Sequence, residues 1–222
     1  LTLRTKQMKF DELYLKMPIP LQQIACNLEG WRTARRYYGG SFSKLLHEAR
    51  SRTFWDADLI RSYRDTRLHA FILHAWETVS FYRRLFEELK ISPSDIKTLE
   101  DLSCLPILTK EVVQDNYDNM VPRAAPKNKQ ILTRTSGTTG GGMKFATTTD
   151  ALREQYAIWW RYYNWHGIQM GTWCGYFTGH RVVPLSQKSP PFWRYNYPGK
   201  KIHFSAYHMN PDYLTAYIEE LR

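Results

Sequence analysis

The sequence has no run of about 18 consecutive apolar residues, so no segment is predicted to cross a membrane as a helix. It contains only three cysteines, Cys26, Cys104 and Cys174, and they lie far apart in the chain. This spacing excludes a disulfide scaffold and a Cys-x-x-Cys metal site. A reduced, intracellular compartment is the simpler interpretation, and we predict a cytoplasmic protein.

The sequence also lacks a block of charge of one sign. Lys and Arg total 31 and Asp and Glu total 21, which gives a net charge of +10 that is spread along the chain. Such a scattered excess suits an anionic small molecule, a nucleic acid or no particular partner, and composition alone does not distinguish these. Hydrophobic residues make up 43% of the 222 residues and aromatic residues 15%, which excludes a disordered chain and predicts a folded core.

Neither end of the sequence is typical of a complete protein. The chain begins at Leu1 rather than Met, and its first residues lack the apolar core of a secretory signal. Its last residues stop inside an amphipathic pattern. We therefore expect a fragment of a longer protein.

The pattern of apolar residues predicts an α/β fold with a mainly helical N-terminal region over 1–125 and an α/β region over 126–222. In the first region, apolar residues recur every three or four positions from 56 to 90, which predicts one helix. Thr109 is predicted to cap a second helix that ends before Pro122.

In the second region, strands are predicted over 130–135 and 143–149, on either side of a glycine-rich loop. Asp150 is predicted to open a helix that closes at Gly167. The remaining segments are expected to be a buried strand over 172–179, a loop over 186–201, a strand over 201–208 and a last helix opened by Asn210 and Pro211.

The strongest chemical signal is the segment RTSGTTGGGMK at 134–144. Glycines accept backbone angles that let several N–H groups converge on one anion, the hydroxyl residues add donors, and Lys144 adds a cation. Such a loop suits a polyphosphate. It is not a Walker A loop, because Met143 stands where that pattern requires lysine. A plain glycine-rich hairpin is the alternative, but a turn needs fewer hydroxyl residues.

With its TSGTTG sequence followed by a lysine, this loop resembles the phosphate-binding loop of the adenylate-forming acyl/aryl-CoA synthetase superfamily. Three more segments narrow the resemblance to the phenylacetate–CoA ligase family and its capsular-polysaccharide-cluster, CapK-like relatives. They are HAWETVSFYRRLFEEL (74–89), LEDLSCLPILTKEVVQDN (99–116) and GYFTGH (175–180). In the first of them, Ser80 stands where the family has proline. The resemblance covers about residues 65–222.

The resemblance implies part of the large N-terminal domain of an enzyme that works in two steps. ATP, with Mg²⁺, and an aryl or acyl carboxylic acid would give an acyl-adenylate and pyrophosphate, and coenzyme A would then take the acyl group. The residues expected to hold the β- and γ-phosphates are Thr135, Ser136, Gly137, Thr138, Thr139, Gly140 and Lys144. The residues expected to line the acyl pocket are Phe177, Thr178, Gly179 and His180.

The sequence departs from the family in two respects. Members have a proline shortly after the TTG, and Gly142 stands near that place, so a more flexible loop is expected before ATP binds. The adenine, ribose and Mg²⁺ sites and the mobile C-terminal domain of members lie downstream of Arg222. The fragment is therefore not expected to be active alone, and no catalytic residue is assigned.

Other residues with chemical potential carry weaker signals. The histidine pairs 69/74 and 203/208 are five positions apart, so neither puts two ligands on one helix face, and no metal site is predicted. Cys104 and Cys174 are predicted to be buried core residues, because their neighbours are apolar. No Gly-x-Ser-x-Gly segment accompanies a serine, so a hydrolase triad is not predicted. An aromatic group at helical spacing is predicted to belong to the core rather than to a base-stacking platform: Tyr156, Trp159, Trp160, Tyr163 and Trp165.

Two alternatives to the acid–CoA ligase stay open at this point. An adenylating enzyme of a polysaccharide locus would pass the acyl group to a sugar amine or hydroxyl, and it would share the same loop. A nucleic-acid-binding or phosphate-binding module without catalysis would account for the net charge and the aromatic residues. We favour small-molecule partners, namely a carboxylic acid, ATP and coenzyme A, with no nucleic acid and no membrane span. The sequence does not predict the oligomeric state.

Overall fold

The computed structural model describes residues 12–122, 130–135 and 142–222. It mixes helices with two small sheets, which confirms the predicted α/β class. The helices are α1 (Ile19–Tyr38), α2 (Phe42–Ser51), α3 (Ala57–Thr78), α4 (Ser80–Leu89), α5 (Lys110–Asp115), α6 (Tyr117–Met120), α7 (Thr149–Trp165) and α8 (Leu214–Leu221). The strands are β1 (Gln130–Arg134), β2 (Lys144–Thr148), β3 (Cys174–Thr178), β4 (Trp193–Asn196) and β5 (Lys201–Ser205).

The chain forms two compact units. The first unit joins the residues up to Ser43 with Trp159–Arg222, and the second comprises Lys44–Ile158. The sequence predicts a boundary near residue 125, between a mainly helical region and an α/β region. That division rests on the pattern of helices and strands rather than on compactness, and it stays a prediction. Among the described residues, no helix is both long enough and apolar enough to span a bilayer.

A three-stranded sheet forms the centre of the first unit. Strand β5 lies between β3, to which it is parallel, and β4, to which it is antiparallel. The presence of β4 corrects the prediction of a loop over 186–201. The strand has only four residues between turn-forming prolines and a glycine, and such a short element leaves little periodic signal.

One face of this sheet packs against α8 in an apolar core. Val183, Phe192 and Phe204 are buried there with Tyr217 of α8. The Tyr217 hydroxyl donates to the carbonyl oxygen of Ser205 at 2.7 Å, so its polar atom is satisfied inside the core. A fully buried side chain of this size contributes on the order of 2 kcal/mol. This core, which includes Trp193 of β4 and Phe204 of β5, therefore fixes the positions of those two strands.

Helix α1 covers the outer edge of β4 with polar side chains. The side-chain amide of Gln23 forms hydrogen bonds with both the N–H and the carbonyl of Tyr195. Gln23 Oε1 accepts from the Tyr195 N–H at 2.9 Å, and Gln23 Nε2 donates to the Tyr195 carbonyl oxygen. Asn27 Oδ1 accepts from the N–H of Tyr197 at 2.9 Å. These side chains take the place of a neighbouring strand, so the edge groups of β4 are paired.

Arg194 of β4 is a buried cation that the sequence did not single out. Its Nε and Nη2 donate to Gln22 Oε1 at 3.0 and 2.5 Å, and its Nη1 donates to the carbonyl oxygen of Pro191 at 3.0 Å. Burial lowers the pKa of Arg194. Neutral oxygens therefore accept the hydrogen bonds of this guanidinium. The two bonds to Gln22 connect α1 to the sheet.

In the second unit, the helix predicted over 56–90 is two helices. The backbone at Val79 is extended, with φ −111° and ψ 112°, and α4 begins at the next residue. Val79 is buried and β-branched, which favours the extended conformation over a continued helix. Ser80 thus occupies the first position of α4, where proline is well tolerated. Ile72 and Phe86 from the two helices share a core with Ile96.

The helix predicted after Thr109 is also interrupted. Thr109 is confirmed as its N-cap, since its hydroxyl oxygen accepts from the Val112 N–H at 3.4 Å. Asn116 then separates α5 from α6, since its backbone leaves the helical region with φ −104° and ψ 13°. Its side chain and its backbone N–H both donate to the Val112 carbonyl, at 3.0 and 3.1 Å. The helix predicted from Asp150 begins one residue earlier, and Thr148 provides the cap by accepting from the Ala151 N–H at 3.2 Å.

Candidate functional site

The glycine-rich segment connects two strands, as predicted, and the structure shows that these strands pair antiparallel. Strands β1 and β2 pair from Gln130 with Thr148 to Arg134 with Lys144, so the connecting loop runs from 135 to 143. Each strand contains two β-branched residues, Ile131 and Thr133 in β1 and Thr147 and Thr148 in β2, which favour the extended conformation. The predicted phosphate-binding residues Ser136, Gly137, Thr138, Thr139 and Gly140 lie outside the described residues and stay predictions.

The two ends of the loop are joined by Thr135 and Met143. The Thr135 N–H donates to the Met143 carbonyl at 3.0 Å, and the Met143 N–H donates to Thr135 Oγ1 at 2.9 Å. A hydroxyl that accepts through its oxygen still has its own proton to donate. Thr135 therefore joins the two ends of the loop and keeps a hydroxyl proton to donate.

Gly142 is required by the way the loop closes. A methyl group at this position would place its carbon 1.9 Å from the carbonyl oxygen of Thr135. Any residue with a Cβ, proline included, would collide with the backbone at that distance. The departure from the family pattern at Gly142 therefore has a steric reason in this chain.

Lys144 is exposed at the start of β2, next to the loop. Its Nζ lies 5.9 Å from the centre of the Tyr117 ring, within the range of a cation–π contact. Burial and the neighbouring Asp118 carboxylate raise the pKa of Tyr117, so the phenol stays neutral beneath the ammonium. Sequence reasoning missed Tyr117, because nothing in the local pattern links α6 to the hairpin.

The predicted acyl-pocket residues lie in the first unit, at the carboxyl end of β3. The prediction of a buried strand there is wrong: β3 is an edge strand, and Phe177 is 45% exposed. The Phe177 ring stacks on Phe204 with centroids 4.8 Å apart. Thr178 pairs with Ser205 in the parallel ladder. An apolar ring face is therefore presented at the point where parallel strands end, which is where α/β folds bind ligands.

Gly179 and His180 follow directly after β3. The Gly179 carbonyl accepts from the Tyr207 hydroxyl at 2.8 Å, and a Cβ added at Gly179 would meet no atom within 4 Å. Burial lowers the pKa of His203, and the charges of Lys201 and His180 lower it further. The segment therefore has open space beside Gly179 and an exposed imidazole at His180. The lowered pKa of His203 favours the neutral form of its own imidazole.

A cationic and aromatic group that the sequence did not predict lies on the other face of β3 and β5. Tyr176 pairs with His203, and their rings lie 6.0 Å apart. The Lys201 ammonium lies 4.7 Å from the centre of the Tyr176 ring, and burial lowers the pKa of this lysine. The alternation of side chains along a strand could have identified this group, but only with the pairing of the strands known.

Several other predicted features do not form sites among the described residues. No group of three or more His, Cys, Asp or Glu side chains is placed to hold a metal ion. Cys104 is exposed and Cys174 is half-buried, so the prediction of two buried core cysteines is wrong. Ser205 Oγ and His208 Nδ1 lie 2.8 Å apart, but both residues are buried in the core and are closed to a substrate.

The aromatic residues of α7 are less buried than predicted. Trp159, Tyr163 and Trp165 are exposed, and only Tyr156 and Trp160 are half-buried. Trp160 packs edge-on against Tyr38 at 6.2 Å and against Tyr163 at 5.5 Å. Aromatic spacing alone did not distinguish a core helix from a helix with an open aromatic face.

Comparison with curated proteins identifies relatives of two kinds. Protein CapK of Staphylococcus aureus is 28% identical to the chain over 209 residues, which are 94% of this chain and 45% of CapK. The phenylacetate-coenzyme A ligase of Escherichia coli (strain K12) is 34% identical over 84 residues, which are 37% of this chain and 19% of the ligase. That of Pseudomonas putida is 36% identical over 84 residues. These matches support a phenylacetate-coenzyme A ligase/CapK-like family.

The family resemblance predicted from the loop and from the LPILTK segment is thereby confirmed. No protein-family model matches the chain. The chain spans about half the length of CapK, and the segment matched to the two ligases covers 19% of each of them.

Proposed function

We propose that the chain is part of an ATP-dependent, AMP-forming ligase that adenylates an aryl or acyl carboxylic acid and transfers the acyl group to coenzyme A. The observation that carries this proposal is the loop whose ends are joined by Thr135 and Met143, with Gly142 packed against Thr135 and Lys144 directly after the loop. The partial matches to phenylacetate-coenzyme A ligases support it. Because ATP and coenzyme A are cytoplasmic metabolites, we also place the protein in the cytoplasm.

In the first step, a carboxylate oxygen of the acid attacks the α-phosphorus of ATP. The bond to the bridging oxygen breaks, and pyrophosphate leaves with the bonding electrons. Negative charge builds up on this leaving group, so fixed hydrogen-bond donors and a cation beside it stabilise the transition state. We assign this role to the Thr135 hydroxyl and the Lys144 ammonium, together with the Ser136–Gly140 segment expected from the sequence.

In the second step, the sulfur of coenzyme A attacks the carbonyl carbon of the acyl-adenylate. AMP leaves as the thioester forms, and the thiol proton passes to solvent. We propose that the carboxyl end of β3 lines the acyl pocket, because Phe177 offers an apolar ring face and Gly179 leaves open space. An aryl acid gains stacking energy on such a ring, on the order of 1 kcal/mol beyond simple burial.

Mg²⁺ is expected to accompany ATP, since it neutralises phosphate charge in reactions of this kind. Among the described residues, the acidic side chains form no cluster that fits a metal ion. We therefore assign no residue of the described ranges to Mg²⁺ and no step to it.

ATP–pyrophosphate exchange in the full-length protein, with a panel of aryl, fatty and hydroxy acids, tests the proposal. We expect exchange that depends on one class of acid. Thr135→Val and Lys144→Met should each lower it at least about 10-fold, since one donor at a developing charge is worth that much or more. Thr133→Val, at an exposed threonine of the same hairpin, is the matched control and should keep full exchange.

Two outcomes would contradict the proposal. One is the absence of exchange with every acid, from a protein shown to be folded by circular dichroism. The other is exchange that both loop variants leave unchanged, which would remove the loop from the chemistry.

The match to CapK covers more of the chain than the matches to the ligases, and it favours a second candidate for the acceptor. In that case a sugar amine or hydroxyl, rather than coenzyme A, would take the acyl group. Acyl-adenylate formed in the exchange reaction can be offered to coenzyme A and to amino sugars in parallel. Release of AMP with only one of them identifies the acceptor.

A further inference from the structure

Tyr117 contacts the cation of the candidate site from outside the glycine-rich segment. The Lys144 ammonium lies 5.9 Å from the centre of the Tyr117 ring, within the range of a cation–π contact. Tyr117 belongs to α6 and Lys144 to β2, so the contact joins two elements of the second unit. The position of the ring therefore affects where the ammonium lies relative to the loop.

Helix α6 is attached to the helices on both sides of it, which defines the position of its tyrosine. Before Tyr117, the N–H and the side-chain amide of Asn116 donate to the Val112 carbonyl of α5 at 3.1 and 3.0 Å. After it, the carbonyl oxygen of Asn119 accepts from the Ser80 hydroxyl of α4 at 3.2 Å. The ring that faces Lys144 is thus carried by a fixed segment of backbone.

The partner of Lys144 is an uncharged ring rather than a carboxylate. None of the salt bridges in the described part of the chain includes Lys144, whereas Arg61 and Arg67 of the same unit pair with Asp58 and Glu154. Burial raises the pKa of Tyr117, so its phenol carries no charge at neutral pH. Such a ring attracts a cation without neutralising it. The positive charge of Lys144 therefore stays available to an anion.

The ring contact also restricts the lysine before a ligand binds. Lys144 is exposed, and an unrestrained lysine side chain loses much of its rotamer freedom when it contacts an anion. A side chain that is already held in place loses less on binding, which is the general effect of preorganisation. A carboxylate would hold the lysine too, but it would compete with the phosphate for the same ammonium.

We infer that Tyr117 is a positioning residue, whose ring holds the Lys144 ammonium in place for the pyrophosphate part of ATP. The inference rests on the proposed function, which assigns Lys144 to the leaving group. Because Tyr117 acts through Lys144, its effect has to disappear when the lysine is removed. A merely structural role of the ring would persist without the lysine.

Calorimetric titration of the full-length protein with inorganic pyrophosphate, in the presence of Mg²⁺, tests the inference. We expect Tyr117→Leu to weaken pyrophosphate binding about 3-fold, which is the effect of one cation–π contact at an exposed site. Tyr117→Phe keeps a ring face and should bind pyrophosphate like the wild type. In a Lys144→Met protein, Tyr117→Leu should cause no further loss, since the contact is already absent.

Tyr82→Leu is the matched control. Tyr82 is another half-buried tyrosine of the second unit, and its ring packs edge-on against Phe81. This variant should bind pyrophosphate like the wild type. Circular dichroism of each variant verifies the fold, and Tyr117→Met takes the place of Tyr117→Leu if that protein does not fold.

Two titration results would overturn the inference. One is wild-type affinity for pyrophosphate in Tyr117→Leu. The other is an equal loss of affinity with and without Lys144, which a merely structural role of the ring would produce.

A measurement that needs no reaction separates this inference from the proposed function. After reductive methylation with ¹³C-formaldehyde, the ring current of Tyr117 should shift the methyl signal of Lys144 upfield, and Tyr117→Leu should remove this shift. The signal is assigned from its absence in Lys144→Met. An unshifted signal overturns the inference even in a protein that catalyses ATP–pyrophosphate exchange. A shifted signal and the expected titration results, in a protein without exchange, contradict the proposed function alone.

Discussion

Gly142 and Thr135 make the residue-scale contact on which the candidate site depends. Gly142→Ala would put a carbon 1.9 Å from the Thr135 carbonyl oxygen, so the end of the loop has to move. We expect the free energy of unfolding to fall by about 1–3 kcal/mol, as for other overpacked positions. ATP–pyrophosphate exchange should fall at least about 10-fold with it. Chemical denaturation of the full-length protein measures the first effect.

Gly179→Ala provides the control for stability, because a Cβ there meets no atom within 4 Å. It should unfold at the same denaturant concentration as the wild type. Equal stability of the two alanine variants would contradict the steric account of Gly142.

Individual residues were predictable where their role is local. Thr135 and Lys144 were predicted from the loop motif, because the residue types that bind phosphate are the same in any fold, and their role stays a prediction. Tyr117 and Arg194 were not found, because their roles come from partners far away in the sequence, such as Gln22 beside Arg194. Cys104 was misjudged from its apolar neighbours, since a turn of 3₁₀ helix directs successive side chains to different sides.

The break between α3 and α4 shows how one residue decides an element. Because Val79 is already extended and Ser80 is the first residue of α4, Ser80→Pro should fit without strain. It removes one exposed hydrogen bond, from Ser80 Oγ to the Asn119 carbonyl at 3.2 Å. We expect the free energy of unfolding to change by less than about 1 kcal/mol.

Arg84→Pro is the matched comparison, since Arg84 is exposed in the interior of α4. Proline there removes a helical hydrogen bond and should cost about 3 kcal/mol or more. Denaturant unfolding of both variants checks the prediction. A large loss with Ser80→Pro would show that α3 and α4 behave as one helix in solution.

Elements were predictable where the periodicity is long and the caps are explicit. The hairpin, the Thr109 cap and strand β5 follow from such signals. The break at Val79 was not predictable from such signals, because the apolar spacing continues across it with little change. Strand β4 was not predictable either, because four residues between prolines and a glycine carry little periodic signal.

At the scale of the whole molecule, the α/β class was predictable and the arrangement of the elements was not. The change in periodicity after residue 125 is a property of the sequence alone. The contacts of Gln22 and Gln23 with β4 join positions 172 residues apart. No local pattern specifies which helix meets which strand edge at that distance, so tertiary packing decides it.

The net charge of +10 is a property of the whole molecule. The salt dependence of ligand binding tests whether this charge serves a nucleotide or a nucleic acid. A triphosphate held by a few donors and Lys144 should bind full-length protein with a shallow salt dependence, about 10-fold weaker or less between 50 and 200 mM salt. A nucleic-acid interface with many phosphate contacts would lose about a thousandfold or more over that range. Titrations with a fluorescent ATP analogue and a labelled oligonucleotide measure both, and Lys144→Met should weaken only the first. Tight, steeply salt-dependent binding of the oligonucleotide, with none of the nucleotide, would replace the ligase by a nucleic-acid-binding module.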